Sequence, residues 1–227
     1  PRRRMVGAKA FIALMVAMSL YSLGYAYELS QDLLAGMKLG LRIEYAGLSF
    51  LPALWIIVAL QYTGRSRVLT PGLFVTLLAV PVVTLALVYT NDLHHLYYAQ
   101  LGVNLSGPFP TAEIRGGPWY YVNVAYLNIA AITGFVIYIH WLVRSPGMYR
   151  GQATMMVLAS VIPWIGHGIY HLGLTPFGID VIPLTFALSA PLFAMALFRY
   201  RLLDISPIAR DLIFDRMRDP VVIGDSL

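Results

Sequence analysis

Apolar residues dominate six stretches of the chain, roughly 8–28, 39–62, 70–89, 119–143, 151–172 and 180–199. Each is about 20 residues or longer, enough for a helix rising 1.5 Å per residue to cross a hydrocarbon core about 30 Å thick. Lipid offers backbone amides no hydrogen-bond partner, so a helix is the predicted form of every stretch. The pattern predicts an all-α, polytopic membrane helix bundle with six spans, occupying residues 1–203.

Polar positions inside these spans fall in stripes. Ser160, Trp164, His167 and His171 follow a +4, +3, +4 spacing, which puts them on one helix face. Trp119, Asn123, Tyr126, Ala130 and Thr133 share a face of the fourth span, and Tyr21, Tyr25 and Glu28 share one of the first. Glu44 stands alone in the second. Most of these groups lie toward one end of the bundle, whereas the other end is Leu, Ile, Val, Ala, Met and Phe. A charged group facing lipid costs a few kcal/mol, so the stripes are expected to turn inward. Tyr21, Tyr25, Glu44, Asn123, Tyr126, Trp164, His167 and His171 are therefore the candidate ligand-binding residues, around a cavity near the polar end. Two other roles compete: Tyr89, Trp119, Tyr120 and Tyr170 near span ends suit interfacial anchors, and Asn123 and Thr185 suit interhelical hydrogen bonds.

Charge orients the bundle. By alternation the N-terminus, the 63–70 and 144–150 turns and the C-terminal tail share a side, and they carry 13 of the 16 Lys and Arg residues. Only Lys38, Arg42 and Arg115 lie opposite. The positive-inside rule then places both ends in the cytoplasm and the polar end outside. The mean hydropathy of +0.70 and a charged fraction of 12% agree with a membrane location. Basic residues spread over every inner turn form no single patch, which argues against nucleic acid as a partner and for lipid headgroups.

The long outer loop from Thr90 to Pro118 contains Pro108, Pro110, Gly116, Gly117 and Pro118, so a rigid, turn-rich cap is expected there. Pro52, Pro163, Pro183 and Pro191 within spans permit kinks. His167 and His171 have a spacing able to chelate one ion, and His94 and His95 lie on the same side. A helical pair with two loop residues is more commonly a set of hydrogen-bonded histidines, and neither a metal nor another cofactor is assigned. The absence of Cys excludes disulfides and thiolate ligation. A retinal Schiff base is excluded as well, because Lys9 and Lys38 are the only lysines and neither is in the last span.

Beyond the last span, Ser206-Pro207 provides an N-cap and first-turn pair. Ile208, Leu212 and Met217 continue as an amphipathic helix, so 204–219 reads as a juxtamembrane helix. Pro220-Val221-Val222-Ile223 reads as the start of a strand in 220–227.

Five motifs in order, E-Y-A-G-L-S-F-L-P-A-L-W from Glu44, L-Q-Y-T-G-R-S-R from Leu60, T-N-D-L-H-H-L from Thr90, P-W-I-G-H-G-I-Y from Pro163 and L-F-R-Y-R-L-L-D-I-S-P-I-A-R from Leu197, carry a resemblance. The chain resembles the N-terminal seven-transmembrane sensor region of bacterial histidine kinases, which also precedes diguanylate cyclases. The resemblance implies a seventh span before Pro1, a PAS-like domain beginning in 220–227, a homodimer, and a location in the bacterial inner membrane with a cytoplasmic C-terminus. It implies a sensory input module that relays ligand binding to a kinase and so to a response regulator. Arg199, Arg201, Asp204 and Pro207 would lie on that relay, and no catalytic residue is expected in the chain. The alternatives are a small-molecule transporter and the input module of a diguanylate cyclase.

Overall fold

A computed structural model of the protein describes residues 8–144, 147–176 and 179–198. The described elements are α1 (Ala8–Leu29), α2 (Leu34–Leu48), α3 (Leu51–Tyr62), a 3₁₀ turn (Ser66–Val68), α4 (Pro71–Tyr89), a single turn α5 (Asn91–His94), strands β1 (Tyr98–Asn104) and β2 (Thr111–Gly116), then α6 (Pro118–Arg144), α7 (Gly147–His171) and α8 (Ile182–Phe198). The expected relay residues Arg199, Arg201, Asp204 and Pro207, the 204–219 helix and the 220–227 strand lie outside the described residues.

The molecule is a polytopic helical bundle. α1, α4, α6, α7 and the pair α2–α3 are long and apolar enough to cross a membrane, and α8 is a shorter apolar helix. Outward-facing Ile12, Leu23, Val75, Ile129, Val136 and Leu188 are exposed and form a surface suited to acyl chains.

The stretch expected as one helix over 39–62 is bent instead. Pro52 has no amide to give the carbonyl of Leu48, so regular bonding lapses around Ser49 and Phe50. There the Phe50 amide bonds the Gly47 carbonyl at 3.0 Å, a tighter i→i−3 closure, before α3 resumes.

A tight glycine contact joins α1 to α2. The two helices run antiparallel, and each contains Gly-x-x-x-Glu: Gly24 to Glu28 and Gly40 to Glu44. A Cβ on Gly24 would come within 2.5 Å of the Glu44 amide nitrogen, and one on Gly40 within 2.8 Å of the Glu28 Cβ. Each glutamate thus packs on the other helix's glycine, an approach only a missing side chain permits.

Phe11, Leu14, Tyr138, Met156 and Phe193 form the main apolar core between α1, α3, α6, α7 and α8. Above it, the Thr90–Pro118 segment folds into an antiparallel hairpin, with Leu101 opposite Ile114 and Val103 opposite Ala112. Where composition predicts a rigid, turn-rich cap, the segment forms paired strands. Asn91 ties it down: its Oδ1 accepts from the amides of Tyr97 (3.0 Å) and Tyr98 (2.9 Å), and its Nδ2 donates to the Tyr98 carbonyl at 3.0 Å.

Candidate functional site

Below the hairpin, α1, α2, α6, α7 and the segment before α8 enclose a cavity of about 240 Å³. Tyr21, Tyr25, Glu44, Asn123, Trp164, His167 and His171 all line it, so the inward stripes predicted from spacing converge. The roof is Ala112 and Ile114 of β2, residues that alternate with outward Glu113 and Arg115.

Tyr126 is a correction. It does not line the cavity; its hydroxyl donates to the carbonyl of Leu77 on α4 at 2.7 Å. That carbonyl lies four residues before Pro81, which has no amide to bond it. Spacing placed Tyr126 with Asn123, but the stripe straddles two neighbours, and Tyr126 falls on the side of α4.

Asn123 lines the cavity while its polar atoms are already bonded. The Trp119 indole donates to Thr84 Oγ1 (2.9 Å), Thr84 donates to Asn123 Oδ1 (3.3 Å), and Asn123 Nδ2 donates to the Tyr97 hydroxyl (2.9 Å). This buried chain fastens α6 to α4 and to the hairpin stem. Asn123 therefore holds the wall in place.

On α7 the rings of His167 and His171 stack edge to face at 4.2 Å, and Trp164 meets Phe135 at 5.6 Å. Asn128 approaches His167 Nε2 at 3.5 Å. His94 stands apart in the α5 corner. The Leu96 amide donates to its Nδ1 (3.0 Å), so its proton sits on Nε2, against Thr90 Oγ1 (3.0 Å). Among the described residues no group of three His, Asp or Glu side chains is placed to hold a metal ion.

Two further acids, Glu28 of the first-span stripe and Asp180, join Glu44 in the lining. Glu28 is 5% exposed and Glu44 4%, and the glycine contact brings the two acids together where α1 and α2 cross. Glu44 Oε1 is buried with no partner. Asp180 completes the group: the Tyr21 hydroxyl donates to its carboxylate, and its amide donates to the Tyr25 hydroxyl at 2.7 Å.

Electrostatically the cavity is one-sided: among the described residues no Lys or Arg lines it. Lys38 and Arg42, the basic residues of α2, turn to the rim. Lys38 Nζ pairs with Asp92 at 2.5 Å, and Arg42 lies 3.8 Å from the same carboxylate and over the Tyr89 ring. The Lys38 ammonium bonded to Asp92 holds that carboxyl below its ordinary range.

The family described as the N-terminal 7TM region of histidine kinase matches residues 1–207. The chain belongs to this family. As a 7TM region of histidine kinase it is a multi-pass membrane protein and a transmembrane sensory input module. No curated protein and no solved structure matches the chain. The cavity of this 7TM region lies at the hairpin end, opposite the turns that carry Arg65, Arg67, Arg144 and Arg150.

Proposed function

We propose that this sensory module binds a small extracytoplasmic or membrane-borne molecule in the cavity beneath the hairpin and relays occupancy to a cytoplasmic histidine kinase. One observation carries the reading: a half-open cavity, framed by several helices, contains a buried carboxylate oxygen without a partner. An unmet buried acceptor costs about 1–3 kcal/mol, which a ligand donor would recover. At 240 Å³ the space falls below the ~300–1,000 Å³ of drug-sized sites and suits a smaller molecule.

A route for the signal follows from the contacts. Tyr21 and Tyr25 of α1 hold Asp180, whose Oδ1 in turn accepts from the Ile182 amide at the start of α8. A ligand that moves α1 against α7 shifts the entry of α8, the last helix before the expected output segment. Full switching from 1:99 to 99:1 takes ~5.5 kcal/mol of differential binding, so both helix arrangements must contact the ligand unequally. Under this reading the module sits in the bacterial inner membrane with its C-terminus in the cytoplasm, as the 13-to-3 distribution of basic residues favours.

A thermal-shift screen of the protein in lipid nanodiscs, repeated on Ala131→Trp, tests this. Ala131 lines the cavity, and a Trp there fills it. Shifts caused by small-molecule hits should vanish while the ligand-free melting point changes little. Hits that persist unchanged in Ala131→Trp overturn the reading.

A further inference from the structure

The walls of the cavity favour one charge type. Three carboxyl groups, Glu28, Glu44 and Asp180, line it, with no Lys or Arg among the described residues of the lining. Asp180 is spoken for by Tyr21 and by the Ile182 amide. Glu28 and Glu44 are brought together by the glycine contact, and Glu44 Oε1 is buried there with no partner. Aromatic rings line the same cavity, Tyr25, Tyr45, Tyr97, Tyr170 and Trp164 among them. Carboxylates in an aromatic-lined cavity are surroundings that stabilise an ammonium group, through ion pairing and cation–π attraction within about 6 Å of a ring.

Resting on the ligand-binding reading above, we propose that the molecule taken up here is a small organic cation, a protonated or quaternary amine with an apolar or aromatic body, whose charge is held against Glu28 and Glu44. A neutral donor would satisfy Glu44 Oε1 but bring no charge to the acids, and an anion would be repelled by three of them. The cavity's apolar far end, with Leu14, Met18, Leu127 and Phe193, accommodates the body.

A cation and a proton compete for the same carboxylates. The titratable groups facing the pair are Tyr21 and Tyr25 on α1, Tyr45 on α2, Tyr97 and Tyr98 at the hairpin stem, Tyr120 on α6, His167, Tyr170 and His171 on α7, and Asp180 before α8. Of these only the histidines gain positive charge as pH falls, which also repels a cation. Both effects have one sign: affinity rises with pH. They separate by mutation, since Glu28→Gln with Glu44→Gln should flatten the profile and His167→Ala should leave most of its slope.

The test uses full-length protein in nanodiscs and a panel of small aromatic and alkyl amines, each matched to its alcohol and its carboxylate. Tryptophan fluorescence reads binding, because Trp55 and Trp164 line the cavity. An amine should bind at least about tenfold (about 1.4 kcal/mol) more tightly than its alcohol and its carboxylate. Its affinity should rise with pH and fall at least about tenfold in Glu44→Gln, a near-isosteric change whose folding is checked by melting. Equal binding of alcohol or carboxylate, no binding by any amine, or full amine affinity in both Glu44→Gln and the double variant overturns the cation. If matched probes bind alike but lose affinity in Ala131→Trp, only the charge preference falls. If binding is indifferent to Ala131→Trp, the cavity reading falls with it.

Discussion

The Tyr126 hydroxyl reaches across to α4 and supplies the Leu77 carbonyl with the hydrogen bond that Pro81 withholds. Proline in a helix is thus compensated from a neighbouring helix, as lipid surroundings require. Tyr126→Phe should lower stability by about 1–3 kcal/mol, the cost of an orphaned carbonyl, and leave ligand affinity near that of the unsubstituted protein. In a Pro81→Ala background, where the backbone amide returns, the same change should cost markedly less. Unfolding measurements on the four variants form a double-mutant cycle; additive losses would contradict the pairing.

The glycine contact between α1 and α2 makes a second prediction. Gly24→Ala or Gly40→Ala forces a methyl group into the opposing glutamate's backbone or Cβ and should destabilise by about 1–3 kcal/mol. Gly168→Ala on α7, where a Cβ meets nothing within 4 Å, should be neutral or stabilising by up to about 1 kcal/mol. Thermal unfolding in nanodiscs ranks the three, and equal effects would show that the close approach is absent.

Much of this architecture was legible from hydropathy alone, because lipid forces apolar runs into helices whatever their residue order. The inward stripes on α1 and α7 were legible too: Tyr21, Tyr25, Trp164, His167 and His171 have only one polar face to offer. On α6 the same argument misplaced Tyr126, since that helix meets α4 on one flank and the cavity on the other. Asn128 lies about 140° around the helix from Asn123, so no single stripe contains both. The Glu28–Glu44 pairing depends on the antiparallel crossing of α1 and α2, which spacing within either helix does not contain. The hairpin's alternation, Ala112 and Ile114 against Glu113 and Arg115, is only a few residues long and sits among glycines and prolines that read equally as turns.

Asn91 closes the hairpin onto the bundle with three hydrogen bonds. Asn91→Ala should therefore loosen the roof locally, at about 2 kcal/mol or more given roughly 0.5–1.5 kcal/mol per bond. Amide hydrogen exchange at Tyr97 and Tyr98 should accelerate while the helices of the core keep their protection. Unchanged exchange there would contradict the clamp.

The rim ion pair has a pH signature. With its carboxyl held below the ordinary range by Lys38, Asp92 contributes stability in full above about pH 4 and loses it as pH falls further. Because the pair is exposed, salt should weaken it. Asp92→Asn should remove the acid-side slope; an NMR titration finding the Asp92 carboxyl at or above its ordinary value would contradict the pairing.

The central claim, a solvent-reachable and acid-walled space beneath the hairpin, can be measured directly because the chain has no cysteine of its own. In Ala131→Cys the new thiol faces the cavity, and in Ile129→Cys it faces lipid. Their reaction rates are compared using a cationic trimethylammonium methanethiosulfonate and its anionic sulfonate counterpart, both added from outside the cell. The account predicts that Ala131→Cys reacts, faster with the cation than with the anion, and that Ile129→Cys reacts with neither. An unreactive Ala131→Cys, or one modified equally by both reagents, would contradict it.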